Sequence, residues 1–517
     1  MAPRAEKRAD PEDGTKYTWE EFEEFYGAKK AQKKWDAAGV AKGAGKVGGG
    51  AEKPCTVCGN TNHLRADCKH KDKECSSCGK VGHLASVCRS AGAAGGKAAA
   101  APKAKVKAKA KAKAREPRKP KVDAELLEAA IAGARAQPAK GLELVAPVPT
   151  GMPQAKDFKV VEKIVGEVEE GGILVEVICI SADPYMRSKI KAVGGAKEGM
   201  PISGFITGRV LESKSPKWFP GDLIGASLPY TTVQVVTKEM LEGTVSWKLT
   251  GLVTEATASL GIGVLGMPGS TAYGGFFDIL KPKRAKTKGE PNGETIFVSA
   301  ASGAVGQLVG QLAKLSGCVV VGSAGGPAKC TVLKEKFGYD HTIDYKTCST
   351  AEELKAKLKE CAPEGIDMYF ENVGGIHFDA ALASMKPGGR IAVCGCISQY
   401  NEGGEEGGGL GGDFNKLFLG NLIYPQVRIE GFVCHRWLSG QKGTFLRDMH
   451  RYLKSGKLET TETVTEGIEN WPAAFQSLFT GANMGKVVVK VADPKPLVAE
   501  KKEEQKEEKK NEDTKEE

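Results

Sequence analysis

A glycine-rich turn between an apolar strand and a helix constrains this sequence more than any other feature. Residues 299–306 read Ser-Ala-Ala-Ser-Gly-Ala-Val-Gly, after the apolar run 295–298 and before the helix-like segment 307–315. Glycine at 303 and 306 lets the backbone turn tightly and lets a pyrophosphate reach the helix N-terminus, where free N–H groups favour negative charge. The pattern predicts the start of a dinucleotide-binding unit, although alone it equally fits an ordinary strand-to-helix turn.

The second predicted strand favours NADP(H) over NAD(H). It covers residues 318–323 and ends without the acidic residue that usually binds the ribose hydroxyls. A loop of small residues follows and ends at Lys329, which leaves room for a ribose 2′-phosphate and a cation to meet it. The alternative is that Lys329 is one more solvated lysine in a lysine-rich chain.

Two later segments, 365–375 and 388–395, are predicted to be further parallel strands that end at glycines. Ligands of open α/β sheets bind at the carboxyl ends of the strands. Asn372, Cys394 and Gly395 are therefore expected to face the cofactor.

Length and charge predict two packed modules joined to unstructured segments. The chain has 517 residues, 41% of them hydrophobic, and a formal net charge of +10. Residues 97–121 are almost purely basic, and we expect them to form a linker that contacts phosphates or merely acts as a solubilising spacer. No apolar run approaches the ~20 residues of a membrane helix, and the first residues do not resemble a signal peptide. We expect a soluble cytoplasmic protein with no membrane partner.

Two short segments near the N-terminus repeat the same metal-ligand spacing. C-x2-C-x4-H-x4-C occurs twice, with the ligands Cys55, Cys58, His63, Cys68, Cys75, Cys78, His83 and Cys88. Three thiolates and one imidazole close a tetrahedral Zn²⁺ site, so we expect two structural zinc ions. Such zinc knuckles usually bind single-stranded RNA or DNA. Docking on a protein is the alternative, because Thr56 and Ser76 replace the usual aromatic residue. Before the knuckles, Thr18 and Glu21 have the spacing of a capping box, which predicts a short amphipathic helix.

Six motifs occur in an order that resembles the zinc-independent medium-chain dehydrogenase/reductases. Within them the pattern is most similar to prostaglandin reductases and alkenal double-bond reductases. The resemblance covers roughly residues 141–493. The motifs are residues 183–187, 266–273, 301–306, 372–375, 397–401 and 483–490.

The resemblance implies an α/β fold in which a Rossmann-type parallel sheet is joined to a partly β, GroES-like substrate domain. The substrate domain is expected over 141–263 and again over 433–493, with the NADP-binding domain at 264–432. Residues 1–54, the knuckles at 55–88, the basic linker at 89–140 and the charged tail at 494–517 complete the chain. The segment 427–432 resembles the edge strand through which such enzymes pair, which implies a homodimer.

The resemblance also implies roles for individual residues. Tyr400 would hold and protonate an enolate, or would merely pack against the cofactor, and Tyr185 would line the substrate cleft. Lys329 and Tyr345 would bind the 2′-phosphate. The other expected cofactor contacts are Gly303, Ala304, Val305, Gly306, Asn372, Cys394, Gly395, Cys396, Ile397, Ser398, Phe432, Val433 and Asn483.

The catalytic zinc ligands of alcohol dehydrogenases are missing from this sequence. Residues 202–208 stand where the Gly-His-Glu segment would fall, and they contain no histidine. The resemblance therefore implies NADPH-dependent reduction of the carbon–carbon double bond of an enal or enone. Two alternatives remain: a quinone oxidoreductase on the same fold, and a nucleic-acid-binding protein that uses the reductase domain as a dimerisation scaffold.

Overall fold

The computed structural model of the chain describes the strands Arg8–Ala9 and Lys16–Tyr17 and residues 119–285, 290–402, 420–438 and 444–497. The chain divides into two compact units, Met1–Arg115 and Glu116–Glu517. In the first unit, Arg8–Ala9 pairs antiparallel with Lys16–Tyr17. The predicted helix after Thr18, the two zinc knuckles and the basic run 97–118 lie outside the described residues.

The second unit begins with helix α1 (Ala124–Ala136), which lies in a stretch predicted to be linker. Asp123 caps it by accepting hydrogen bonds from the backbone N–H groups of the first turn, at 3.0 and 3.2 Å. One face of the helix packs with Leu497 over the outer side of a sheet. The prediction of a linker to residue 140 is therefore wrong at its end, because Leu127 and Ile131 bury apolar surface there. The charged tail likewise begins after Leu497 rather than at 494, since the Leu497 side chain is buried.

The next part of the chain is mostly β-structure. Its elements are β1 (Ala139–Leu144), β2 (Phe158–Lys163), β3 (Ile173–Ser181), α2 (Met186–Lys189), β4 (Ser203–Ser213), β5 (Leu223–Pro229), β6 (Val233–Val236), α3 (Lys238–Gly243) and β7 (Ser246–Lys248). Strand β3 is buried over nearly its whole length because its β-branched and leucine side chains pack on both faces.

Strands and helices alternate in the following part. The elements are α4 (Met267–Gly274), a π-helical turn (Gly275–Leu280), β8 (Thr295–Val298), α5 (Gly306–Leu315), β9 (Val319–Ala324), α6 (Pro327–Glu335), β10 (His341–Asp344), α7 (Ala351–Cys361), β11 (Ile366–Glu371), α8 (Ile376–Leu382), β12 (Met385–Val393), α9 (Gly420–Ile423) and β13 (Arg428–Gly431). Such alternation is typical of a parallel sheet covered by helices.

The last part returns to the first sheet. It contains α10 (His435–Leu438), α11 (Phe445–Lys454), β14 (Glu462–Glu466), α12 (Trp471–Thr480) and β15 (Lys486–Lys490). Strand β15 pairs antiparallel with β3 and parallel with β14. Short 3₁₀ turns connect several elements of the unit: Ala155–Asp157, Ala192–Gly194, Glu255–Gly261, Tyr345–Thr347, Ile397–Gln399 and Ile468–Asn470.

Two main sheets organise the unit. The first has the order β14-β15-β3-β4-β5-β7, with β6 also paired to β3, and β1 and β2 form a separate antiparallel pair. The second is wholly parallel, in the order β10-β9-β8-β11-β12-β13. The predicted fold class is confirmed, including the parallel strands within 365–375 and 388–395.

The parallel sheet creates a crevice at the carboxyl ends of β8 and β11. The chain leaves β8 toward β9 on one side, and β11 lies on the other side, so the strand order reverses between them. Ligands of doubly wound sheets bind at such a switch point. The two loops that follow β8 and β11 therefore border the expected ligand site.

No helix in the described part of the chain is long and apolar enough to span a membrane.

Candidate active site

The loop after β8 forms a tight turn that leads directly into α5. A side chain at 306 would place its Cβ 2.5 Å from the carbonyl oxygen of Ala300, so glycine is required there. At Gly303 a Cβ would meet only the carbonyl oxygen of Ala300, at 3.1 Å, among the described atoms beyond its chain neighbours. The loop thus has a buried, tightly packed side at Gly306 and a partly exposed side at Gly303. Ala304 and Val305 are partly exposed between them.

Polar contacts fix the loops after β8 and β11 to each other. The Asn372 side chain donates to the carbonyl oxygen of Ser299 at 2.7 Å, and its backbone N–H donates to the Ser299 hydroxyl at 2.9 Å. Glu371 is buried, and one of its carboxylate oxygens accepts from the Ser299 hydroxyl and from the backbone N–H groups of Val373 and Gly374. Burial raises the pKa of the Glu371 carboxyl. These contacts hold the two sides of the crevice at a fixed separation.

Two lysines and a tyrosine converge at the end of β9. A Cβ at Gly325 would lie 3.0 Å from the Lys346 side chain and 3.2 Å from the Tyr345 hydroxyl. Lys329 is half-buried and donates to the carbonyl oxygen of Gly481 at 2.9 Å. Burial and the nearby charge of Lys346 lower the pKa of Lys329. Within the described residues, neither ammonium has a carboxylate within 4 Å, so this corner is suited to an anion.

An acidic residue does lie near this corner, but it comes from the next strand. Asp344 ends β10, and one oxygen of its carboxylate accepts from the backbone N–H groups of Gly326 at 2.8 Å and Lys346 at 3.1 Å. The carboxylate shapes the loop between β9 and α6 through these bonds. Strand β9 itself ends at Ala324, without an acid.

Tyr400 lies at the carboxyl end of β12, with its ring almost completely buried. Its hydroxyl oxygen accepts a hydrogen bond from the backbone N–H of Cys396 at 3.2 Å. A side chain at Gly395 would place a Cβ 2.8 Å from that oxygen, so glycine permits the approach. Burial raises the pKa of the Tyr400 hydroxyl, which therefore stays protonated at neutral pH.

The segment before Tyr400 is tied to the crevice. The backbone N–H of Ile397 donates to the carbonyl oxygen of Asn372, and that of Ser398 donates to the carbonyl oxygen of Val373, both at 3.1 Å. The Ser398 hydroxyl donates to the same Val373 oxygen at 2.6 Å. Asn372 and Tyr400 thus belong to one connected structure. Cys394 and Cys396 lie in it as free thiols, and burial raises the pKa of Cys394 to about 12.

Tyr185 lies on the substrate side, in the turn before α2. Its ring packs on Phe205 with 6.3 Å between ring centroids, and the Lys189 ammonium lies 5.2 Å from the ring centre. Tyr185 contacts the hydrophobic cores of both halves of the unit. It therefore lies where the two halves meet, and its role in lining a substrate cleft stays a prediction.

The remaining predicted cofactor contacts lie in different surroundings. The Phe432 ring packs edge-on against Phe370 and Trp437, whereas Val433 is exposed. Asn483 donates to the carbonyl oxygen of Gly485, and the backbone N–H of Gly485 donates to Ser302 in the glycine-rich loop. The roles assigned to these residues stay predictions.

Several residues of the site were not predicted from the sequence. Lys346 and Glu371 are described above. Arg187 was quoted only as part of a motif, yet it is fully buried and joins three segments. The sequence signal was weak, because Lys346 adjoins Tyr345 in a lysine-rich chain and Arg187 is a charged residue that usually lies on a surface.

The predicted zinc ligands lie outside the described residues. Within residues 119–285, 290–402, 420–438 and 444–497, no three His, Cys, Asp or Glu side chains are grouped to hold a metal ion.

The described crevice suits a dinucleotide with a ribose 2′-phosphate. The partly exposed side of the turn at Gly303, the N-terminus of α5 and the neighbouring Lys329 and Lys346 are arranged along the carboxyl edge of the parallel sheet. The fold and the site thus define a two-domain, dinucleotide-binding oxidoreductase.

Comparison with known proteins shows the family. Residues 143–244 match the model described as "N-terminal domain of oxidoreductase", and residues 304–446 match "Zinc-binding dehydrogenase". A 2-alkenal reductase (NADP(+)-dependent) of Nicotiana tabacum is 41% identical over 351 residues, and prostaglandin reductase 1 of Bos taurus is 40% identical over 341 residues. Each alignment covers 66% of this chain and 95% of the relative.

A solved structure agrees with both matches. The crystal structure of CurA from Vibrio vulnificus in complex with NADPH has a TM-score of 0.58 and 32% identity, and the match covers 68% of this chain and 99% of that one. The chain belongs to the zinc-binding dehydrogenase family, that is, the medium-chain dehydrogenase/reductases.

Proposed function

We propose that this chain reduces the carbon–carbon double bond of α,β-unsaturated aldehydes and ketones with NADPH. Its membership of the family, and relatives named as alkenal and prostaglandin reductases, support the proposal. The observation that carries it is the position of Tyr400, whose buried hydroxyl lies at the carboxyl end of β12 and is connected to Asn372 at the switch point.

The chemistry requires a hydride, a proton and a donor to the carbonyl oxygen. When bound, NADPH supplies the hydride to the β-carbon, the carbon–carbon π bond breaks, and its electron pair moves to give an enolate. A donor aimed at the enolate oxygen stabilises the charge that develops there. Tyr400 has the hydroxyl for this role and can transfer a proton to the α-carbon.

Cys396 contacts the Tyr400 hydroxyl twice, through its backbone N–H and through its thiol. The hydroxyl oxygen accepts the N–H of Cys396, so this contact fills a lone pair and does not use the hydroxyl proton. Burial raises the pKa of the hydroxyl, so the proton is present at neutral pH.

The anion-suited corner explains the choice of NADPH. Lys346 and Tyr345 approach Gly325, and Lys329 lies close enough to Lys346 for the two charges to interact, beside the end of β9 that has no acid. We assign the 2′-phosphate to these three side chains. The partly exposed side of the turn at Gly303 receives the pyrophosphate, with Ala304, Val305 and Gly306 around it.

A steady-state panel tests the proposal against its two alternatives. Purified full-length protein is assayed with NADPH and with NADH against enals, enones and quinones. Enal and enone reduction that prefers NADPH supports the proposal. Turnover of quinones alone favours a quinone oxidoreductase, and no turnover of any substrate favours a scaffold role.

We further propose that residues 55–88 hold two structural zinc ions and bind single-stranded RNA or DNA together with the basic linker. The repeated ligand spacing supports zinc binding, and the lysines beside it supply phosphate contacts. Full-length protein should bind single-stranded RNA with an affinity that falls steeply with salt. No binding at low salt would favour docking on a protein instead.

We also propose a homodimer that pairs through β13. This strand ends the parallel sheet within the described residues, and Ile423 and Tyr424 beside it are exposed. Sedimentation should give twice the chain mass. An Ile429→Pro substitution, which removes a backbone donor from the edge strand, should shift the species toward the monomer.

A further inference from the structure

Arg187 joins the substrate side of the cleft to the segment that carries Tyr400. It lies in α2, two residues after Tyr185, and its side chain is fully buried. Its Nε donates to the side-chain oxygen of Asn401 at 3.0 Å. Its two terminal nitrogens donate to the carbonyl oxygens of Val148 at 2.8 Å and Gly151 at 3.1 Å.

Other contacts reinforce the same junction. The backbone N–H of Gly151 donates to the carbonyl oxygen of Asn401 at 2.9 Å, so Asn401 is held through both its side chain and its backbone. Lys191 donates to the carbonyl oxygen of Glu402 at 3.0 Å. Tyr400 therefore lies between two anchors: Asn372 and Val373 hold the residues before it, and α2 holds the residues after it.

The burial of the Arg187 guanidinium is energetically costly. Burial lowers the pKa of Arg187, which reflects the cost of removing the charge from water. Its three hydrogen bonds go to neutral oxygens, and the Asp157 carboxylate interacts with it through its charge only. The planar guanidinium of Arg187 donates to three acceptors in different directions, and a lysine ammonium cannot reproduce this geometry.

We propose that Arg187 is a positioning residue, which holds the Tyr400 hydroxyl at its working distance from the substrate cleft through Asn401. The inference rests on the proposed role of Tyr400. It adds that Arg187 sets the positions of Tyr185 and Tyr400 relative to each other, because it lies two residues after Tyr185 and bonds Asn401, the neighbour of Tyr400.

The experiment is a double-mutant cycle on the full-length enzyme with an enone and NADPH. Arg187→Met removes the fork and retains a long side chain. Displacing a reacting group by about 1 Å costs roughly 10²-fold, so kcat should fall about 10- to 100-fold while the Kd of NADPH changes by less than about threefold. Arg187→Lys should lose nearly as much as Arg187→Met.

The second arm of the cycle separates positioning from general stability. In a Tyr400→Phe background, Arg187→Met should lower kcat by less than about threefold further, because the hydroxyl that it positions is gone. Arg209 supplies the matched control, since it too is buried and bonds Glu176 at 2.6 Å and the carbonyl oxygen of Lys495 at 2.5 Å. Arg209→Met should lower the melting temperature and leave kcat unchanged.

Two results overturn this inference and leave the proposed role of Tyr400 intact. One is an equal loss of kcat from Arg187→Met in the wild-type and Tyr400→Phe backgrounds. The other is an unchanged kcat for Arg187→Met when Tyr400→Phe is slow. A Tyr400→Phe variant at the wild-type rate overturns the proposed role of Tyr400 and the inference with it. If Arg187→Met does not fold, Asn401→Leu removes the same link, and it should show the same loss of kcat and the same dependence on Tyr400.

Discussion

The backbone N–H of Cys396 donates to the hydroxyl oxygen of Tyr400 at 3.2 Å. The hydroxyl can lie this close to the backbone because residue 395 is a glycine. The bond occupies a lone pair of the hydroxyl oxygen, and the Cys396 thiol also contacts the hydroxyl. A side chain at Gly395 would collide with the Tyr400 hydroxyl. The backbone N–H of Ile397, in the same segment, donates to the carbonyl oxygen of Asn372. A single loop after β12 thus joins the proposed proton donor to the proposed cofactor crevice.

The Tyr400→Phe substitution should slow enone reduction. Removing the hydroxyl removes both the donor to the enolate oxygen and the proton source, and we expect kcat to fall by ~10²–10⁴-fold. The affinity for NADPH should barely change, because the ring still packs in the same place. Stopped-flow turnover and fluorescence titration with NADPH measure the two effects. An essentially wild-type rate would make Tyr400 a packing residue.

The anion-suited corner predicts how cofactor preference changes. Losing one charge-assisted contact costs ~1.5–3 kcal/mol, so Lys329→Ala should weaken NADPH binding roughly tenfold to a hundredfold. Lys346→Ala should act in the same direction, although the sequence alone did not single it out. NADH binding should stay almost unchanged in both variants, as calorimetry can check. Equal losses for both cofactors would refute the assignment.

His377 predicts a loss of stability in mild acid. Its side chain is buried, and burial lowers its pKa from 6.5 to about 4. The unfolded chain therefore binds a proton more readily than the native one, so this contribution to stability is complete above pH 6.5 and is lost as pH falls toward about 4. The shift corresponds to about 3 kcal/mol.

Denaturant unfolding at several pH values measures the effect of His377. The difference in unfolding free energy between wild type and His377→Phe should change by about this amount between pH 7 and 4. His341 is exposed and serves as the control, so His341→Gln should track the wild type. Parallel pH profiles for wild type and His377→Phe would contradict the assignment.

Metal content separates the N-terminal segment from the reductase. Six cysteines and two histidines at knuckle spacing predict about two zinc ions per chain. Chelation should remove both and leave enone reduction intact, because the proposed reaction uses residues 119–497 alone. Elemental analysis and activity before and after chelation provide the measurement. Loss of reductase activity along with the zinc would place a metal in the catalytic half.

Local patterns in the sequence predicted the parallel sheet well, and long-range contacts account for what was missed. Short apolar runs and adjacent glycines encode the turn at 299–306 and the strands near Asn372 and Cys394, and these signals lie within a few residues of one another. Helix α1 was missed because its neighbours are rich in Ala and Lys, whereas its stability comes from packing with Leu497, far away in sequence.

The site was predictable in the same uneven way. Lys329 was predicted from the loop of small residues before it and Tyr345 from the family resemblance, whereas the position of Lys346 became evident only from the approach of its side chain to Gly325. Arg187 could not be assigned a role from the sequence, because its three acceptors lie 36 to 214 residues away along the chain.

The fate of the transferred hydride tests the central claim most directly. Full-length protein is given an enone with NADPH that carries deuterium at the nicotinamide C4 position, and the product is analysed by NMR. We predict a saturated ketone with deuterium on the β-carbon and a solvent-derived proton on the α-carbon. An allylic alcohol with deuterium on the carbonyl carbon, or an unreduced enone beside active quinone turnover, would contradict the proposed double-bond reductase.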